Sequence, residues 1–317
     1  MTSRGRDYAF VILASIFWGT SFPGSKLVIG AVDPLFLTMA RLGIGALLGF
    51  GVLAALGRLD VRVFRNRYVW VLGAINAFSF GLQNTGILYT TASKTSLLVN
   101  VNVVFIAILM AIVFKERVTW QKAVGIAIAV LGVVVLSTRL DPAFLQGGEF
   151  LGDGLVFLAG LAWSFYVVGT KAMVDRGGDY IALVTGVLAA TAVLAAIPVL
   201  LFGLPLPSTS DAWLGVAYLG LVPTFPPMIL FAYSLRTISP TISALLILLE
   251  VIVASVLSFL FLSDPLSVFT IIGGACILFG AYVVTLGEKE ILEPGAGGLA
   301  PVPPDTVIRE PDTVTRR

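Results

Sequence analysis

One carboxylate, Glu250, falls in the middle of an apolar run, residues 239–262. A charged side chain at mid-bilayer depth is costly, on the order of 3 kcal/mol or more, so it faces a cavity or a partner and not lipid. Three chemistries fit it: a group that takes up and releases a proton, a contact for a ligand's amino group, or a structural hydrogen bond to a hydroxyl or the backbone. Three basic residues also lie within apolar runs: Lys26, Arg41 and Lys171. Lys26 and Lys171 sit near the C-terminal ends of their helices. Snorkelling to the headgroups is the bland reading, and anion capture the sharper one. Arg41 lies about 10 Å into its run at 1.5 Å per residue, which suits a gate ion pair or a snorkel equally. There is no histidine, and Cys276 is the one cysteine. That composition excludes imidazole-bound zinc or haem, Ser-His and Cys-His catalysis, and a disulfide within the chain. With no paired carboxylates either, an intramembrane enzyme is not expected, nor a metal or cofactor.

The elements that position these residues must be membrane helices. The chain has 317 residues, is 58% hydrophobic and 12% charged, and has a mean hydropathy of +1.00. Soluble chains carry about a quarter charged residues. About 20 apolar residues span a bilayer. Ten such spans are expected: 8–29, 34–56, 68–90, 93–114, 119–138, 152–174, 180–203, 212–235, 240–262 and 267–286. The first is too long for a signal peptide's apolar region and lacks a small-residue cleavage site. Of the 20 Lys and Arg, all but five fall on the side of the N-terminus; the exceptions are Lys94 and Arg139 opposite, and the three within spans. That asymmetry places both termini in the cytoplasm of a multi-pass protein of the cell (inner) membrane. Residues 288–317 are rich in Pro and Gly and are expected to be a disordered cytoplasmic tail.

The chain reads as one unit written twice. Sliding 92–114 onto the ninth span by 148 positions puts Asn102 on Glu250, Thr95 on Ser243 and Glu116 on Asp264; Gly125 then falls on Gly273 and Gly132 on Gly280. In the first span of each half, Trp18 precedes Lys26 by eight residues as Trp163 precedes Lys171. Five spans per half is an odd number, so the second copy enters from the opposite side. The fold expected is all-α, polytopic, with two inverted five-helix repeats, 1–140 and 141–287. Such repeats place a ligand site near mid-bilayer at their interface.

Lys115-Glu116-Arg117-Val118-Thr119, followed by Gln121, Gly125 and Gly132, resembles the end of a repeat in the EamA branch of the drug/metabolite transporter superfamily. Leu248-Leu249-Glu250, Arg41 and Trp18-Gly19 resemble that pattern too, over about residues 8–287. The resemblance implies a ten-helix transporter that carries small metabolites, often exporting amino acids, through a central cavity. The family often has a proline after the second-half glutamate, where this chain has Val251, and another near Asn102. With neither present, helix kinks at those places lose their usual cause.

Helical spacing assembles the candidate cavity. Ser15, Trp18, Ser21 and Ser25 share a face of the first span, Asn76, Ser79 and Gln83 of the third, Thr95 and Asn102 of the fourth, Trp163, Tyr166 and Thr170 of the sixth, and Ser243 and Glu250 of the ninth. The hydroxyls also suit plain helix packing, and the amides an interhelical hydrogen bond. Trp18 lies about 15 Å deep, which favours the cavity over an interfacial belt. Pro223, Pro226 and Pro227 should break the eighth span and make 218–228 a gate or cavity wall. The candidate binding set is Trp18, Ser21, Asn76, Ser79, Gln83, Asn102, Trp163, Tyr166 and Glu250. The candidate gate or anion contacts are Lys26, Arg41, Lys171, Pro223 and Pro227. The expected partners are a small-molecule substrate and the lipid bilayer, with no nucleic acid; protons and self-association stay open. The reading is an amino-acid exporter working by alternating access. A sugar-phosphate or nucleotide-sugar exchanger is the runner-up, since it would use Lys26 or Lys171. A polyspecific drug exporter would be expected to carry an acid deep in the first helix of each unit, and neither has one.

Overall fold

A computed structural model describes residues 3–113, 119–140, 148–264 and 267–292, and among them every regular element is helical. The motif at Lys115-Glu116-Arg117-Val118 and residues 293–317 lie outside the described residues. Thirteen α-helices follow in order: α1 (Ser3–Ile29), α2 (Pro34–Ala55), α3 (Arg67–Gly86), α4 (Ala92–Val99), α5 (Asn102–Val113), α6 (Trp120–Thr138), α7 (Gly148–Asp175), α8 (Tyr180–Leu201), α9 (Ser210–Leu221), α10 (Phe225–Ser234), α11 (Pro240–Ile247), α12 (Leu249–Leu262) and α13 (Val268–Leu292). Joined as α4–α5, α9–α10 and α11–α12, they give the ten expected spans. Helix α13 runs to Leu292, so the first five residues of the expected tail, 288–292, are helical.

Seven spans are long and apolar enough to cross a bilayer by composition alone. Helices α6 and α13 hold shorter apolar runs, Ala123–Leu136 and Val268–Gly280. Helix α3 is less apolar because it carries Asn76, Ser79, Gln83 and Asn84, all buried inside the bundle. The outer surface is apolar instead: Leu47, Leu200 and Phe261 are 71%, 79% and 69% exposed, as lipid-facing residues are.

The duplication is physical. Asp33 caps α2 by accepting from the N–H groups of Leu35 and Phe36, and Asp179 caps α8 through Ile181 and Ala182. Both helices are 22 residues long. Each is followed at the same distance by a glycine in the left-handed region, Gly57 (φ 64°) and Gly203 (φ 59°), a conformation that costs glycine nothing and lets the chain turn back. Helices α2 and α8 pack on each other across the middle. Around them the neighbours obey an exchange of halves: α1 packs on α9–α10 and on α12, while α7 packs on α3 and on α4–α5. Helices α6 and α13, the last of each half, run together. A Cβ on Gly132 would stand 2.7 Å from the Gly273 carbonyl, and one on Gly280 2.6 Å from the Ala129 nitrogen. The repeated glycines therefore meet crosswise, Gly132 against Gly273 and Gly280 against Gly125. Gly45 and Gly49 make close contacts inside the chain, against Thr224, Thr185 and Phe225.

The fourth and ninth spans break without the prolines of the resemblance. Helix α4 stops at Val99 and α5 starts at Asn102; α11 stops at Ile247 and α12 starts at Leu249. Asn100 and Leu248 are equivalent by the 148-residue offset, so the breaks match. At Asn100 the cause is a side-chain amide that donates back to the Ser96 carbonyl at 2.8 Å, competing with the helix ladder. The eighth span breaks as expected, but at one proline and not three. Pro223 lies in the gap, while Pro226 and Pro227 occupy the first turn of α10, where a missing N–H leaves nothing unsatisfied.

Candidate functional site

The two halves meet at a small central cavity lined by Trp18, Ser21, Phe22, Phe80, Gln83, Val99, Asn102, Trp163, Ile247 and Glu250. Its volume of about 40 Å³ admits a few waters and no metabolite. The conformation is a contracted one. Trp18 and Trp163, equivalent by the 145-residue offset, touch edge to face with centroids 5.8 Å apart. Phe231 extends the group behind Trp18 (5.5 Å), and Phe80 and Tyr166 flank Trp163 at 5.9 and 4.7 Å. The centre of the repeat is therefore an aromatic cluster with one carboxylate at its edge.

Glu250 is 5% exposed and accepts from the Asn100 amide at 2.6 Å. The alignment of halves offered Asn102 as its counterpart; the partner is Asn100, two residues earlier, brought round by the break between α4 and α5. Asn102 still lines the cavity. Arg41 is fully buried in α2, one layer behind Ser21 and Phe80. It donates to Ser21 Oγ (3.1 Å), Thr224 Oγ1 (3.3 Å), Ser25 Oγ (3.4 Å) and the Pro223 carbonyl (3.5 Å), and its guanidinium lies 4.8 Å from the Phe80 ring centroid. Among the described residues, no ion pair involves either Arg41 or Glu250.

Of the nine candidate binding residues, Trp18, Ser21, Gln83, Asn102, Trp163 and Glu250 line the cavity. Asn76 and Ser79 do not, because they join helices: Asn76 donates to Thr191 Oγ1 at 3.2 Å and Ser79 to the Ala159 carbonyl at 2.9 Å. Tyr166 lies behind Trp163 with its hydroxyl 3.7 Å from Met228 Sδ. Phe80, Phe22, Val99 and Ile247 line the cavity and were missed, being apolar residues with no mark to separate them from packing. Pro223 touches Arg41 through its carbonyl, and Pro227 is buried in α10.

Lys26 and Lys171 stand apart from the cavity, at opposite faces. Lys26 Nζ donates to the carbonyls of Ile87 (2.7 Å) and Thr90 (2.8 Å), just past the end of α3. Lys171 Nζ donates to the Leu235 carbonyl (3.0 Å), just past the end of α10, and pairs with Asp175 at 2.6 Å. Ile87 and Leu235 are again equivalent positions. Each lysine thus satisfies carbonyls left without N–H partners at a helix C-terminus.

A second matched pair ties the halves together at the two faces. On the face of the N-terminus, Thr237 donates to Asp7 at 2.5 Å, with Arg6 beside Asp7. On the opposite face, Thr90 donates to Asp153 at 2.8 Å. Asp7 and Asp153 open the first helix of each half, and Thr90 and Thr237 lie in the turn after the third span of the other. The opposite face is further braced by Lys94, 2.7 Å from Asp153 and 3.2 Å from Glu149, and by Asp264, which accepts from the Ser93 N–H at 3.3 Å. Both latches are closed.

Ten spanning helices in two inverted repeats around a central aromatic and polar cavity define a membrane transporter. The chain belongs to the EamA-like transporter family, whose model matches residues 6–138 and again 150–286. An uncharacterized transporter of Archaeoglobus fulgidus is 26% identical over 287 residues, 88% of this chain and 98% of the relative. A probable terminal-alkyne amino-acid exporter of Streptantibioticus cattleyicolor is 25% identical over 297 residues, 90% of this chain and 96% of that one. A crystal structure superposes with a TM-score of 0.69 over 90% of this chain and 98% of the other at 22% identity, a likeness of fold. The protein is a transporter of a small molecule and not an enzyme.

Proposed function

We propose that this transporter exports amino acids or related compounds across the cell (inner) membrane by alternating access, with both termini cytoplasmic and with repeats over 1–140 and 141–287. The observation that carries the reading is the pair of latches, Asp7–Thr237 and Asp153–Thr90, each joining the start of one half to the turn after the third span of the other, one at each end of a contracted cavity. In alternating access one latch opens while the other stays shut, and the cavity widens toward the open side. Trp18, Ser21, Gln83, Asn102, Trp163 and Glu250 are the wall that meets the substrate, and Arg41 with Pro223 is the layer behind it. The aromatic wall suits an apolar side chain and the carboxylate an ammonium group. The name of the Streptantibioticus relative points the same way.

The phosphate-exchanger reading asks for basic groups at the cavity, and Lys26 and Lys171 have theirs on backbone carbonyls elsewhere. The test is flux into proteoliposomes of a labelled panel of aromatic, aliphatic and hydroxy amino acids beside a sugar phosphate, with and without a pH gradient. Saturable amino-acid flux is the expected outcome. Sugar-phosphate flux alone would overturn the amino-acid reading.

A further inference from the structure

Glu250 lines the central cavity and Arg41 lies one layer behind its wall, and among the described residues each is held by neutral groups. Arg41 makes four contacts of 3.1–3.5 Å, three to hydroxyls and one to a carbonyl, and faces the Phe80 ring. Those distances lie beyond the 2.7–2.9 Å typical of a charge-assisted bond. Glu250 holds one amide proton. An ionisable side chain without an opposite charge is costly in a membrane interior, and such residues normally mark the path of a substrate or ion.

The two are joined by the residues of the cavity itself. Ser21 lines the cavity with Glu250 and is the shortest contact of Arg41; Phe80 lines it and lies under the guanidinium. On the other side, α1 presses on the chain at Glu250: a Cβ on Gly19 would stand 2.9 Å from the Glu250 carbonyl. At about 40 Å³ the cavity must widen before any metabolite enters. Movement of Ser21 and Phe80 is what would uncover the guanidinium.

We propose that Arg41 and Glu250 are the two poles of a zwitterion site, Arg41 receiving the carboxylate and Glu250 the ammonium group of one α-amino acid, whose side chain rests on Trp18, Trp163 and Phe80. The inference rests on the transporter reading above and deepens it. It assigns the buried arginine to recognition, not to a gate or a headgroup contact. A site built to bond a polar group rejects the analogue that lacks it strongly, because its own buried partner is then left unpaired.

The experiment is competition against labelled phenylalanine flux in proteoliposomes of the full-length protein. Two truncated analogues are compared with unlabelled phenylalanine: phenethylamine, which lacks the carboxylate, and 3-phenylpropionate, which lacks the ammonium group. With the wild-type protein, each analogue should compete at least tenfold more weakly than phenylalanine. Arg41→Gln should abolish the preference over phenethylamine and keep that over phenylpropionate, and Glu250→Gln should do the reverse. Equal competition by either analogue on the wild-type protein overturns the proposal, and this needs no variant to fold. Phenylalanine flux unchanged in Arg41→Gln overturns it too. Flux of other amino acids without phenylalanine moves the same comparison to the amine and acid of the amino acid carried. Absence of flux for every amino acid removes the transporter reading's substrate class and this inference together.

Discussion

Replacing Lys26 by methionine removes an ammonium group and keeps most of the stem that carries it. The ammonium holds the carbonyls of Ile87 and Thr90 at 2.7 and 2.8 Å. Hydrogen bonds to a charged group contribute about 1.5–3 kcal/mol each in favourable sites. Lys26 is only half-buried, and water reaches the freed carbonyls, so the pair together is worth about 2–3 kcal/mol after that discount. At roughly 2–4 °C per kcal/mol, the melting temperature should fall by about 4–12 °C. Lys171→Met removes one carbonyl contact and a pair with Asp175, which is 47% exposed and adds little, so its loss should be roughly half as large. The assay is thermal unfolding of purified protein in detergent, followed by tryptophan fluorescence, beside flux in proteoliposomes at a temperature where every variant is folded. Substrate KM should stay within about twofold of wild type, since neither lysine reaches the cavity. An unchanged melting temperature with a KM raised tenfold or more would refute the reasoning and return the lysines to the binding site.

Other perturbations follow from the same contacts. Asn100→Leu strands the Glu250 carboxylate and should cost about 2–4 kcal/mol, while Asn100→Leu with Glu250→Leu should cost less than the single change; a double-mutant cycle in denaturant would measure that coupling. Gly280→Val places side-chain atoms against the Ala129 nitrogen, 2.6 Å from its Cβ, and should abolish folded protein on size-exclusion chromatography. Gly43→Ala meets only the Ala192 Cβ at 3.6 Å and should be neutral or stabilising by up to about 1 kcal/mol, the helix propensity of alanine over glycine. Trp163→Phe keeps an aromatic ring beside Trp18 and should lower flux more than it lowers melting temperature, as expected of a wall residue and not of a structural one.

The spans were legible because a bilayer allows only long apolar helices here, and the repeat because equivalent positions must make equivalent contacts. Trp18 with Trp163, Gly132 with Gly280 and Lys26 with Lys171 each carry a residue type that the fold needs twice. The breaks in the fourth and ninth spans were not legible. No proline marks them, and a lone asparagine that bonds back to its own helix looks like any other. For the same reason Asn100 was missed as the partner of Glu250: a rigid alignment of helices moves registers by whole residues, whereas a break turns the chain. Asn76 and Ser79 share a face with Gln83, yet that face divides between two neighbours, α8 and α7, and only Gln83 looks inward. Arg41 is buried within α2, and its surroundings are hydroxyls from α1 and the turn before α10, contacts that no spacing within α2 encodes.

The central claim is that the two halves open alternately around one cavity, and the latches test it most directly. In a Cys276→Ser background, cysteines would be placed as Asp7→Cys with Thr237→Cys, and separately as Thr90→Cys with Asp153→Cys. Each pair would be closed by a short bis-maleimide with a reducible spacer. Cross-linking either pair alone should stop flux in proteoliposomes, and reduction of the spacer should restore it. Flux that continues at the wild-type rate through protein shown to be fully cross-linked at either latch would contradict the account.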